Sequence, residues 1–173
     1  MLTRLTRVLK HRWQSDDAAQ RAIPPALLDR LATQVARSEA GHSGEIRIYV
    51  EAGLPLSYLW QPDSMAHIAH ERALALFGKL RVWDTAHNNG VLIYLLLAEH
   101  RIEIVADRGL NALVAPDTWP RLVAGMSAAF RAGDYEGGLT HAVQQVSQLL
   151  QQHFALQRGQ SNPNELPDTP VLK

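Results

Sequence analysis

The spacing of hydrophobic positions along this chain changes several times, and each change marks an element. Residues 91–98, VLIYLLLA, are eight apolar residues in a row after Gly90. A run this short, reached through Asn88, Asn89 and Gly90, suits a strand buried on both faces better than a helix, which needs ~10–12 residues. Glu99, His100 and Arg101 then make a turn. Beyond it Ile102, Ile104 and Ala106 alternate with Arg101, Glu103 and Val105, a second strand with one drier face. So short a link forces antiparallel pairing, because a parallel return needs about a dozen residues or more. In such a hairpin Asp107 and Arg108 come to lie beside Asn88, Asn89 and Asp84.

The rest of the chain alternates between periods of 3.6 and 2. Leu2, Leu5, Leu9 and Trp13, with Val8 beside them, form a helical stripe, and Arg4, Arg7, Lys10 and Arg12 lie between. Pro24 and Pro25 open a helix whose buried stripe is Leu27, Leu28, Leu31 and Val35, and it stops at residues 41–44, GHSG. Ile46, Ile48 and Val50 alternate with Glu45, Arg47, Tyr49 and Glu51, which predicts the first strand. Residues 53–62 read as a loop. A helix capped by Asp63 or Ser64 follows, with the stripe Met65, Ile68, Ala69, Leu76 and Phe77 and with Gly78 as terminator. After the hairpin, residues 110–116 are irregular. Trp119, Leu122, Val123, Met126 and Phe130 mark a helix capped by Asp117 or Thr118, with Gly133 just past its end. Asp134 caps the last helix, whose stripe runs from Leu139 through Val146 to Phe154. Its glutamines form a solvated face. Residues 156–173, rich in polar residues and proline, read as a disordered tail. No internal repeat is present.

The order is helix, strand, helix, strand, strand, helix, helix, preceded by the basic N-terminal helix. The first strand, the crossover helix and the central strand make a right-handed parallel unit, to which the hairpin adds an antiparallel partner. The economical arrangement is an α/β fold in three layers, α/β/α, with a small mixed sheet between helices. We divide the chain into a basic N-terminal helix (1–20), an α/β domain (21–155) and the tail (156–173).

Composition narrows the function classes. Lys+Arg and Asp+Glu are 17 each and hydrophobic residues make up 46%, so a core is affordable and a domain-wide nucleic-acid footprint is not supported. Zero Cys excludes disulfides, zinc–thiolate sites and thiol catalysis. No apolar run reaches the ~18–20 residues of a membrane span, and Arg4 and Arg7 interrupt what a secretory signal would need. This predicts a cytoplasmic protein. The first 13 residues, basic and amphipathic, either pack on their own domain or make peripheral contact with the inner membrane or a protein partner.

The same topology gathers residues 43–45, 88–90 and 107–109 at one end of the sheet. Asp84, Asn88, Asn89 and Asp107 offer hard oxygen ligands of the kind calcium or magnesium takes. The plainer alternative is that these residues make turns, and that Asp107 pairs with Arg108 or caps backbone amides. His87 lies in the same loop and is a candidate acid or base. His67, His70 and Glu71, in HIAHE, follow neither zincin order. Ser43 and Ser57 lack a nucleophile elbow, and there is no Walker loop or dinucleotide fingerprint, so no organic cofactor is expected.

SGEIRIYV, ALALFGKLRVWDTAHNNGVLIYLLLAEHRIEIVADRGL and FRAGDYEGGLTHAV resemble the TPM-domain family, above all in Asn89-Gly90 before the central strand and Gly133-Asp134-Tyr135 before the last helix. The resemblance spans about residues 27–154. It implies a Rossmann-like α/β/α sandwich, a calcium- or magnesium-binding site drawn from Asp84, Asn88, Asn89, Asp107 and Asp134, and either weak acid phosphatase activity or an accessory role in a membrane-associated protein assembly. In the phosphatase version Asp84 and Asp107 hold the ion and Arg108 neutralises phosphate. On this reading the chain is expected to differ from many relatives by having neither their signal peptide nor their C-terminal membrane helix. It also places Arg108 beside Asp107, where a guanidinium competes with a cation.

Overall fold

In the computed structural model, residues 2–14 and 17–173 are described, with side chains from Thr6 onward within them. Leu2 and Leu5 of the predicted N-terminal stripe, and Arg4 between them, therefore lie outside the described side chains. The chain runs α1 (Leu2–Arg12), α2 (Ala18–Ala22), α3 (Pro25–Glu39), β1 (Ile46–Glu51), α4 (Leu56–Leu59), α5 (Met65–Lys79), β2 (Val91–Leu96), β3 (Arg101–Ala106), α6 (Arg108–Asn111), α7 (Thr118–Arg131), α8 (Tyr135–Phe154) and β4 (Val171–Leu172). The sheet order is β3-β2-β1-β4. β1 and β2 are parallel in the register Ile46↔Val91, and β2 and β3 are antiparallel in the register Val91↔Ala106.

Two hydrophobic layers enclose this sheet. On one face α2, α3, α7 and α8 cover Ile46, Ile48, Val91, Ile93 and Ile104; on the other α4 and α5 cover Tyr49, Leu92, Tyr94 and Val105. The fold is thus the mixed α/β, three-layer arrangement that the alternation predicts. Every residue of β2 is 0% exposed, as an unbroken apolar strand requires. The turn after it is tighter than the apolar run suggests. Leu97–Glu99 form a 3-10 turn and His100 adopts a left-handed conformation at φ 48°. The predicted loop at 53–62 contains the short helix α4, and residues 110–116 begin as the end of α6. Ser64 caps α5 through the His67 amide, and Asp134 caps α8 through the Gly137 amide.

The polar side of β1 does not face water. All six of its residues are buried. Glu51 accepts both Nε (3.0 Å) and Nη2 (2.6 Å) of Arg72 and the Tyr94 hydroxyl at 2.8 Å. Burial opposes the Arg72 charge, but the forked bond to Glu51 more than reverses this and raises its pKa. Burial, with Glu51 beside it, raises that of Tyr94. A buried pair of this kind is tolerated because each member satisfies the other's hydrogen-bonding groups.

The disordered tail is corrected. Residues 157–173 cross back over the sheet and end as β4, parallel to β1 at Tyr49↔Val171. Lys173 N donates to Val50 O at 2.9 Å, and Ala52 N donates to Lys173 O at 2.7 Å. The cause is polar. Buried Glu45 needs donors, and the tail supplies Asn162 Nδ2 at 2.9 Å and Leu166 N at 3.0 Å. The Arg47 guanidinium donates to the carbonyls of Pro167 and Thr169. Composition predicts disorder because the tail buries little apolar surface, Leu166 and Pro170; it misses the demand made by the strand beneath.

The N-terminal helix takes the packed alternative on one face. His11 is buried, accepting Leu54 N at Nδ1 (3.0 Å) and facing Glu99 at 2.9 Å through Nε2, so the ring proton sits on Nε2. Arg7 donates to the carbonyls of Gln61 and Asp63.

Deleting residues 157–173 leaves Glu45 without two donors in a buried position, each worth about 1–3 kcal/mol. The expected result is a thermal midpoint lower by several degrees, measured by circular dichroism. Hydrogen exchange on the intact chain should show protected amides at Leu166 and Lys173. Glu39 supplies a pH test. It accepts Ile46 N at 2.7 Å, and burial, with Glu45 and Asp168 nearby, pushes its pKa from 4.5 to about 9. Between those values the folded chain holds one proton more than the unfolded chain, so stability falls as pH rises through that window. Glu39→Gln keeps the acceptor and needs no proton. It should raise the melting temperature at pH 8, with the gain shrinking towards pH 5.

Candidate functional site

Backbone bonds alone bring the three polar segments together. Val91 N donates to Glu45 O at 2.8 Å, Asp107 N to Gly90 O at 2.9 Å and Gly109 N to Asn88 O at 2.9 Å. Two glycines permit the approach: a Cβ on Gly90 would sit 2.0 Å from Val82 O, and one on Gly109 would sit 2.5 Å from Asn88 O. Asn88 turns the chain with φ 52°, a left-handed conformation that asparagine tolerates.

The side chains at this end then divide. Asp107 caps α6, accepting Arg108 N at Oδ1 (2.7 Å). The Arg108 guanidinium does not compete for that carboxylate, contrary to the sequence expectation. It donates through Nε and Nη2 to Asn88 Oδ1, at 3.1 and 2.9 Å, because the hairpin sets residue 88 across from it. Asn89 is fully buried and donates Nδ2 to Ser43 Oγ at 3.2 Å. Its amide thus turns towards the start of β1, while Asp107 stands opposite Gly90. Asn89 Oδ1 and Asp107 Oδ2 are both buried without a hydrogen-bond partner, each a cost of about 1–3 kcal/mol if nothing fills it.

Two of the expected ligands do not join them. Asp84 is half exposed and its carboxylate is held by Arg81. Asp134 lies at the opposite end of the sheet: it spends Oδ1 on Gly137 N at 2.9 Å, beside Tyr135, whose ring stacks on His100 of the β2–β3 turn at 6.4 Å. Asn88 Oδ1 is taken by Arg108. The residues therefore fit a divalent cation only in part, since only Asn89 and Asp107 bring a buried oxygen without a hydrogen-bond partner. Among the described residues no group of three or more His, Asp or Glu side chains is arranged to hold a metal ion.

His87 is exposed and lines a cavity of about 520 Å³ with Ser43, Phe154, Asn162 and Glu165. Its neighbours are already used. Glu165 accepts the Ala86 amide at 3.1 and 3.3 Å, and Ser43 Oγ accepts from Asn89. Half of this cavity is built by the tail, which sequence reasoning placed outside the fold. The available signal was Glu45 and Arg47 on a strand that must be buried. In HIAHE, His70 Nδ1 lies 3.3 Å from Glu103 Oε2 on β3, while Glu71 is exposed.

The NMR structure of the BA42 protein from the psychrophilic bacterium Bizionia argentinensis shares this fold with a TM-score of 0.70. It is 23% identical, over 89% of this chain and 94% of that one. No curated protein matches the chain. The TPM domain matches residues 16–149. That match contains all three polar segments and Gly133-Asp134-Tyr135, and it stops short of the tail. By this match the chain belongs to the TPM-domain family.

Proposed function

We propose that this chain is a non-catalytic docking module, seated on an anionic membrane surface beside a membrane-associated protein assembly. One observation carries the reading. Of the seven exposed large hydrophobic side chains among the described residues, four lie on two touching helices: Leu9 and Trp13 on or just past α1, and Leu56 and Trp60 on or just past α4. α1 carries no acid, and Arg12 is exposed. Apolar and indole side chains rimmed by cations suit the boundary between headgroups and acyl chains. No helix among the described residues is long and apolar enough to cross a membrane, so contact of this kind is peripheral.

The phosphatase reading has less support. Asp84 and Asp107 are engaged separately, and the fork of Arg108 rests on Asn88 rather than facing open space. A second reading, cation binding at the sheet edge, is favoured by the two buried oxygens without partners. Asn89 and Asp107 would hold the ion, which needs further oxygens from backbone or water.

The full chain should sediment with phosphatidylserine vesicles and much less with phosphatidylcholine vesicles. Trp13→Ser with Trp60→Ser should weaken sedimentation roughly tenfold, because two interfacial aromatic anchors are lost. Equal sedimentation of the double variant would refute the docking face. For the cation, calcium titration followed by amide shifts should move Asn89, Gly90 and Asp107 together, and Asp107→Asn should abolish the response. Independent or absent responses end that reading.

A further inference from the structure

We propose that the outer edge of β3 binds an extended peptide of a partner protein by strand addition. β3 is the last strand of the sheet on this side. Asp107 N bonds to Gly90 O across the hairpin, so in the antiparallel register residues 103 and 105 point their backbone groups at β2. Ile102, Ile104 and Ala106 point theirs outward. One of these outward groups is already used: Asn111 Nδ2 donates to Ala106 O at 2.7 Å, with Trp119 Nε1 behind it on Asn111 Oδ1 at 2.7 Å. The donor and acceptor of Ile104 and the amide of Ala106 remain at the edge, while Ile102, 1% exposed, is enclosed by the chain itself.

This edge is the floor of a groove, not a bare rim. A cavity of about 670 Å³ runs along it, walled on one side by His70 and Leu74 of α5 and on the other by Trp119, Val123 and Ala124 of α7. A strand laid on β3 sends alternate side chains to the two walls. The α7 wall is apolar and takes apolar side chains. The opposite wall carries charge. Glu103 accepts Arg101 Nε at 2.7 Å and faces His70 at 3.3 Å, and no second carboxylate lines the groove. Arg101, with its side chain 36% exposed, keeps its terminal Nη donors. The groove therefore complements a peptide carboxylate at the Arg101 end. A second copy of this chain fits less well, because its own β3 is recessed between the same two helices, and helices would meet before strands.

The test uses the full chain and a pooled library of decapeptides that alternate apolar residues with threonine and carry one aspartate. Selection should enrich binders. In amide spectra the best binder should shift Ile104, Ala106, Leu74 and Val123, and should slow exchange of the Ile104 and Ala106 amides. N-methylation of alternate peptide amides should weaken binding at least roughly tenfold, since the contacts are main-chain bonds. Ala124→Arg, an exposed helix position that can fold as before, should weaken it similarly by filling the groove. The proposal is overturned if no peptide is enriched, if N-methylated and parent peptides bind equally, if Ala124→Arg binds normally, or if shifts fall elsewhere. A concentration-dependent dimer that Ala124→Arg abolishes also overturns it, in favour of a second copy.

Discussion

The structure depends on the complete enclosure of β2. With no residue of this strand exposed, water cannot serve any of its amides or carbonyls, so β1 and β3 must serve all of them. That requirement locks two registers at once. It also decides where the chain can tolerate a side chain at all. Gly90 sits against Val82 O and Gly109 against Asn88 O because the strands must be brought within hydrogen-bond reach where β2 begins. A slip of one residue in β3 would carry Ile102 and Ile104 out of the core, so the hydrophobic pattern and the polar backbone enforce the same pairing.

This is why much of the fold can be read from residues 84–109. An apolar run, a short link and an alternating run leave one geometry, and the meeting of residues 43–45, 88–90 and 107–109 follows from it. What cannot be read is the direction each polar side chain takes after arriving. Arg108 reaches across to Asn88 and not to its neighbour Asp107, and Arg81 draws Asp84 away. Both choices depend on loop shape at the scale of one rotamer. Asp134 entered the ligand set through family likeness alone, and its position is fixed by the work of capping α8 at the far end of the sheet.

The buried acids tell the complementary story. In the sequence Glu45, Arg47 and Glu51 look like the wet side of a strand, yet each is enclosed. Arg72 and Tyr94 answer Glu51, and the tail answers Glu45 and Arg47. Periodicity identifies the strand correctly and misjudges its environment, because alternation of apolar and polar residues is the same whether the polar side meets solvent or meets partners drawn from a distant segment.

The manner in which the tail is fastened has a consequence for the molecule's motion. Its buried residues are few, Leu166 and Pro170, and the remainder is held mainly by hydrogen bonds. A segment held in this way opens locally at far lower free energy than global unfolding. Each such excursion lifts Val171 and Leu172 from β1 and briefly leaves the sheet with two bare flanks instead of one. In that state the molecule is a template for sticking to its own kind. The rate of tail release, more than the strength of the core, would then govern how well concentrated solutions keep.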